Sequence, residues 1–259
     1  MRIGEGRKPL PNLSSCVAYV LIALNQKQLE ITNSLLQTDT KSNKVRFMSH
    51  LSITQYTHLQ DYDQIFTKMK QTFQNKGHEL WLLEHQPVYT LGKAADPAHI
   101  LKTPNIPVVH TDRGGQVTYH GPGQLMAYTL FNLNDLNIGI RTLVTRLENS
   151  IIKSLLTLSI DAYSKKEAPG VYVQNKKIAS VGLKVRHGLC YHGLSLNVNM
   201  NLTPFEFINP CGFKDLKMIQ CTDFIPEMTA NSMASILSDA IIKEFHFTSV
   251  KQLIIEQKA

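Results

Sequence analysis

Three groups of residues have the types and spacing for chemistry. The first is the run Arg113-Gly114-Gly115-Gln116-Val117-Thr118-Tyr119-His120-Gly121-Pro122-Gly123-Gln124. Four glycines fall within ten positions here, and ordering so permissive a segment costs much chain entropy. Such a backbone can approach a ligand closely. Its bare N–H groups can cradle an oxygen, and Arg113 can clamp an anion or a carbonyl-rich chain. A plain structural glycine turn is the alternative. A phosphate loop around Gly92-Lys93 fails, because Pro87 stands where a glycine is needed and Ala94 where Ser or Thr is needed.

The second is Lys177. Strict alternation puts it in phase with Ala179, Val181, Leu183 and Val185, an apolar face that Gly182 can interrupt. A lysine at the mouth of such a face is partly desolvated and suited to proton transfer. It can equally be a snorkelling lysine whose stem covers apolar surface. The third is Cys211 in Asn209-Pro210-Cys211-Gly212, where proline before and glycine after make a turn that can present a thiol outward. Cys190, in phase with Leu194 and Leu196, reads as a small buried hydrophobe. His120 and His192 are either satisfied core histidines or members of a site. Cys190-Tyr191-His192 has no second ligand pair nearby, so no metal is expected.

These groups need elements to position them. Ser52 is read as the cap of a helix carrying Tyr56, Leu59, Ile65, Phe66, Met69 and Phe73. Leu80 to Leu83, Val88 to Leu91, Val108-Val109 and Leu125 to Phe131 read as strands. Ile140, Leu143, Val144, Leu147, Ile151, Leu155 and Leu158 mark an amphipathic helix. Val171 to Val173 and Ile178 to Val185 form a hairpin through Gln174-Asn175-Lys176. Leu194, Leu196 and Val198 alternate with polar residues as a strand, and a last helix covers Thr229 to Phe245. Short strands grouped between separated helices predict an α+β domain with a mixed sheet and flanking helices.

The 259 residues are 43% hydrophobic and 18% charged, which excludes wholesale disorder. No apolar run approaches the roughly 18–20 residues that span a bilayer. Net charge is +7, spread without a run of five basic residues, and no nucleic-acid reader motif is present. The four cysteines form no C-x-x-C pair, as expected of free thiols in a reducing compartment. Residues 1–44 differ from the rest: Arg2, Arg7 and Lys8 precede the apolar run Cys16 to Leu24, then a polar stretch follows. They read as a poorly ordered leader or a misassigned start, with residues 45–259 as the compact domain.

The run Arg113 to Gln124 is followed by Ala168-Pro169-Gly170-Val171-Tyr172-Val173 and Lys177-Ile178-Ala179-Ser180-Val181-Gly182. Then come His192-Gly193-Leu194-Ser195-Leu196-Asn197-Val198-Asn199 and Asn209-Pro210-Cys211-Gly212. In this order, from about Val45 to Phe245, the motifs closely resemble the lipoyl(octanoyl) transferases. The resemblance implies the fold of the biotin and lipoate ligase catalytic domains. It implies transfer of an octanoyl group from octanoyl-acyl carrier protein to a lysine of a lipoyl domain, the first step of endogenous protein lipoylation.

By the same resemblance, Cys211 is the nucleophile that carries the acyl group as a thioester, and Lys177 is its partner. Substrate binding falls to Arg113, Gly114, Gly115, Gln116, Val117, Thr118, Tyr119 and His120, to Ser180, Val181 and Gly182, and to Gly193, Leu194 and Ser195. Acceptors are the apo lipoyl domains of 2-oxoacid dehydrogenases and the glycine cleavage H protein. A cytoplasmic monomer is expected, with no cofactor, metal, nucleic acid or membrane. Acidic carrier and lipoyl domains would meet a positive rim faster. The nearest rivals are an ATP-dependent lipoate or biotin ligase on the same fold and a basic nucleic-acid-binding module. The leader is what the family pattern does not explain.

Overall fold

A computed structural model describes residues 49–75, 77–102, 105–212 and 216–256, and of Cys211 the backbone only. The expected leader, with Cys16, lies outside the described residues. Leu80 to Leu83 and Leu125 to Phe131 are nearly unbroken apolar runs, as strands covered on both faces require. They belong to β2 (Glu79–Leu83) and β6 (Gln124–Leu130) at the centre of an eight-stranded sheet. Alternation splits their side chains between two cores. Leu80, Leu82, Leu125 and Ala127 face one cluster, while Trp81, Leu83, Met126, Tyr128 and Leu130 face the other.

Two helices complete the first core. α2 (Ile140–Leu156) contributes Leu143, Leu147, Ile151 and Leu155, and α3 (Ala230–Phe245) contributes Met233, Leu237, Ile241 and Phe245. Thr229 and Ser232 form the capping box that starts α3. The opposite face is covered by α1 (Tyr62–Thr72) through Tyr62, Ile65, Phe66 and Met69. This helix starts ten residues after the expected cap. Ser52 lies inside β1 (His50–Tyr56), and Asp61 caps the helix by accepting a hydrogen bond from the Gln64 N–H at 2.9 Å. The alternating burial of Leu51 and Ile53 belongs to a strand paired in parallel with β2.

The large sheet runs β11-β1-β2-β6-β10-β9-β8-β7, with β7 at Tyr163–Ser164, β8 at Val171–Val173, β9 at Lys176–Arg186 and β10 at Leu189–Asn197. β1 pairs in parallel with β2 and with β11 (Ser249–Ile255); from β2 to β7 the neighbours are antiparallel. A second sheet sets β3 (Val88–Leu91) between β4 (Val108–His110) and β5 (Val117–His120). The architecture is the α+β class with a mixed sheet. The hairpin turn between β8 and β9 has Gln174 and Asn175 at φ 49° and 64°, the paired positive values of a tight turn matched to strand twist. No helix of the described residues is long and apolar enough to cross a membrane.

Candidate active site

β9 and β10 lie antiparallel with Ser180 opposite Ser195, Val181 opposite Leu194, Gly182 opposite Gly193 and Leu183 opposite His192. Two sequence motifs thereby become one floor. A Cβ on Gly193 would run into the Ala127 carbonyl of β6, so only glycine lets these strands approach there. The glycine-rich segment lies over the floor, fastened where the Gly114 N–H donates to the Leu183 carbonyl at 2.9 Å. Between them is a cavity of about 450 Å³, within the ordinary range for small-molecule sites. Its apolar lining includes Val117, Met126, Val144, Val181, Leu183 and Leu194, and it reaches the surface beside exposed Ile140 and Glu167.

All but one of the residues expected to bind substrate border this cavity: Arg113 to Thr118, His120, Ser180 to Gly182, and Gly193 to Ser195. Tyr119 does not. Its ring packs in a separate core against Tyr89 and Phe205, on the other side of β5. Arg113 is 8% exposed, and its guanidinium clasps protein. It donates to the Thr90 carbonyl at 2.7 Å, to Thr90 Oγ1 at 2.8 Å and to the Gly114 carbonyl at 3.0 Å. The carbonyl-clamping use foreseen for Arg113 is thus turned inward, tying the glycine-rich segment to β3.

Lys177 borders the cavity and is 1% exposed. Its Nζ donates to the Pro169 carbonyl at 2.9 Å and lies 5.5 Å from the centre of the Tyr172 ring. Its backbone is stitched to the segment that follows Cys211. The Lys177 N–H donates to the Lys217 carbonyl at 2.9 Å, and the Ile219 N–H donates to the Lys177 carbonyl at 3.0 Å. Cys211 itself sits in a 3-10 turn, Pro210–Gly212, anchored by the Asn209 N–H on the His99 carbonyl at 2.8 Å. At Gly212 a Cβ would lie 3.4 Å from Cγ of Gln116, a residue of the cavity wall. The Cys211 side chain lies outside the described residues.

Two other cysteines are plainly structural. Burial pushes the Cys190 thiol up to about 12, and burial with Asp223 nearby does the same at Cys221. Both stay protonated at neutral pH, so neither is a nucleophile.

At the other end of the floor, six strand positions or roughly 20 Å from Lys177, stands His192. Its Nε2 donates to Asp112 Oδ1 at 2.9 Å, and the Tyr191 hydroxyl donates to Asp112 Oδ2. Burial opposes the Asp112 charge, yet these two hydrogen bonds hold its carboxyl down to about 2. His120 Nδ1 donates to Gln124 Oε1 at 2.7 Å, and the ring stacks on Tyr62; His85 meets the Tyr128 hydroxyl at 2.7 Å. Burial lowers His120 to about 3 and His85 to about 4. Both are neutral. Asp112 and the buried Glu148, which holds the loop beside Lys177, were missed in the sequence. Glu148 carried a signal, a carboxylate one position from Leu147 on a helix face otherwise without charge.

A sequence model of the lipoyl protein ligase A/B catalytic domain matches residues 45–242. The chain belongs to this family, in its octanoyltransferase branch. It is 48% identical over 205 residues to an octanoyltransferase of Coxiella burnetii, covering 77% of this chain and 84% of that one. It is 49% identical over 180 residues to an octanoyltransferase of Hahella chejuensis, covering 70% and 79%. Among solved structures, the bi-partite lipoate protein ligase of Thermoplasma acidophilum superposes with a TM-score of 0.61 at 16% identity, over 82% of this chain and 88% of that one. That last likeness speaks for the family's fold. The octanoyltransferase relatives speak for its activity: the family member described here is an acyltransferase that moves octanoyl groups.

Proposed function

We propose that the enzyme transfers octanoyl from octanoyl-acyl carrier protein to a lysine of apo lipoyl domains, through an octanoyl thioester on Cys211 with Lys177 as proton partner. The observation that carries this reading is Lys177: a fully buried amine at the border of an apolar cavity, its backbone paired with the segment just beyond Cys211. Cys190 and Cys221 are unfit as nucleophiles, which leaves the turn at Cys211 as the thiol source among the described residues.

Protons and bonds close over two steps. A free thiol, with a pKa of about 8.5, is mostly protonated at neutral pH, so the Lys177 ammonium holds Cys211 as thiolate. The thiolate adds to the donor's thioester carbonyl, the bond to the carrier's sulfur breaks, and the departing sulfur takes its proton from Lys177. Lys177 is then neutral. When the acceptor lysine attacks the Cys211 thioester, an amide forms, the bond to Cys211 breaks, and Lys177 takes the amine's proton. The starting thiolate and ammonium are restored. Exchange of one thioester for another is nearly balanced and amide formation runs downhill, so no nucleotide is needed.

Backbone N–H groups of the glycine-rich segment stabilise the tetrahedral oxyanion. Val181, Leu194 and Met126 shelter the acyl chain, at about 0.8 kcal/mol per buried methylene, with Arg113 to Thr118, His120, Ser180 to Gly182 and Gly193 to Ser195 as the binding wall. The enzyme works as a monomer in the cytoplasm, and its positive charge draws acidic carrier and lipoyl domains. The test mixes purified enzyme, octanoyl-carrier and apo lipoyl domain without nucleotide. Octanoylated domain should form, and enzyme exposed to donor alone should gain one octanoyl mass on Cys211. Product without that adduct, or activity that survives Cys211→Ser and requires ATP, would overturn the proposal.

A further inference from the structure

The loop Ala168-Pro169-Gly170 is held by three buried side chains from three elements, one backbone group each. The Tyr172 hydroxyl of β8 donates to the Ala168 carbonyl at 2.8 Å. Lys177 Nζ of β9 donates to the Pro169 carbonyl at 2.9 Å. Glu148 of α2 accepts the Gly170 N–H at 2.8 Å. Gly170 is at φ 133°, and a Cβ there would sit 2.5 Å from Lys177 Cε and 3.1 Å from its Nζ, so the Gly170 backbone lies directly against the amine. Glu148 is 8% exposed in the middle of the α2 face that packs on the sheet. A carboxylate in such a place is costly unless hydrogen-bonded and paired with charge.

We infer that Glu148 is a positioning residue for Lys177, setting the place of its amine through Gly170 and Pro169 and setting a negative charge within its reach. The inference rests on the Cys211–Lys177 reading above. Burial raises the Glu148 carboxyl above its ordinary value, and the Gly170 N–H and the Lys177 charge only partly oppose that rise. The other three charged groups of α2 lie elsewhere: Lys153 pairs with Glu244 of α3 at 2.6 Å, Arg146 lies over Phe245, and Arg141 is exposed. Tyr172 faces Lys177 from β8, and Glu167 borders the same cavity from its exposed rim.

This role predicts opposite effects on the two half-reactions. The first needs Lys177 charged, beside the thiolate; the second needs it neutral, to receive the acceptor's proton. Glu148→Gln keeps side-chain volume and an oxygen for the Gly170 N–H but removes the charge. The Lys177 charge acts on Glu148, so removing the carboxylate's charge weakens the attraction that helps hold the ammonium in place. Single-turnover acylation of Glu148→Gln by octanoyl-carrier should therefore slow about tenfold, while transfer from the preformed acyl-enzyme to apo lipoyl domain should hold or speed up. Glu148→Asp, which keeps the charge on a shorter stem, should slow both steps and preserve their ratio, and it serves if Glu148→Gln does not fold. Equal slowing of both steps in Glu148→Gln, or an altered ratio in Glu148→Asp, would reduce Glu148 to packing and overturn the inference. The wild-type acyl-Cys211 mass is measured in the same series. Its absence would remove the dyad itself, whereas its presence with equal slowing would remove only the role of Glu148.

Discussion

The two ends of the cavity floor are both buried and polar, and they solve that problem in opposite ways. At the Lys177 end a buried amine is held by a backbone carbonyl and an aromatic face, on a loop that a buried carboxylate also grips. At the His192 end, ionisable rings are kept neutral. His120 and His85 are discharged by burial, and the one anion, Asp112, lies nearer the surface and leans on His192 and Tyr191. The far wall keeps its histidines uncharged and ties its charged groups, Asp112 and Arg113, into hydrogen bonds with protein. Burial alone does not separate the ends. Partners do.

The largest break in this contrast comes from removing the cation. Lys177→Ala should lower the single-turnover acylation rate by about 10²- to 10⁴-fold, the usual range for a positioned proton-transfer group. Gly170→Ala should follow. It forces a side chain onto φ 133° and into Lys177 Cε and the Ala179 carbonyl. Backbone strain of this kind costs about 1–3 kcal/mol, so thermal unfolding should shift down together with a loss of kcat. A Gly170→Ala enzyme with wild-type turnover would show that the loop does not hold the amine.

The Lys177 end was more legible in the sequence than the His192 end, for a local reason. Lys177, its in-phase apolar neighbours and the Gln174-Asn175 turn sit within a dozen residues, and strand periodicity exposes such a group. Asp112 meets Tyr191 and His192 across about eighty residues, a pairing no local pattern carries. The same limit hid β11, whose Val250, Leu253 and Ile254 are exposed and whose register comes from parallel pairing with β1. Ser52 misled because a serine ahead of helical spacing fits a cap as well as a strand. Burial of Leu51 and Ile53 on one face separates the two only once β2 is alongside. Glu148 was visible as an ill-placed charge, but its meaning needed Gly170 beside it.

Acid should sharpen the contrast from the other side. His120 and His85 have folded values of about 3 and 4, below the ordinary 6.5. Between 6.5 and those values the unfolded chain binds protons that the fold refuses. The stability from their neutral burial is full above pH 6.5 and drains as pH falls through that window, at about 1.4 kcal/mol per pKa unit for each group. Wild-type Tm should decline steadily from pH 6.5 to 4, and His120→Asn should flatten the decline. An unchanged slope would mean that His120 is not held neutral by the fold.

Asp112 gives the smallest effect and the cleanest sign. Its carboxyl is depressed from 3.8 to about 2, so its contribution is present above pH 4 and is lost only as pH falls toward 2, below the histidine window. The side chain is 31% exposed, and solvent screening trims what the hydrogen bonds supply. Asp112→Asn keeps one oxygen, for either the Tyr191 hydroxyl or the His192 N–H, while removing the charge. The Tm–pH curve of the variant should run below and parallel to wild type from pH 7 to 4, then converge with it. Acylation of Cys211 should change far less than in Lys177→Ala, because no proton of the reaction passes through this end. A variant that loses acylation as Lys177→Ala does would erase the distinction between the two ends.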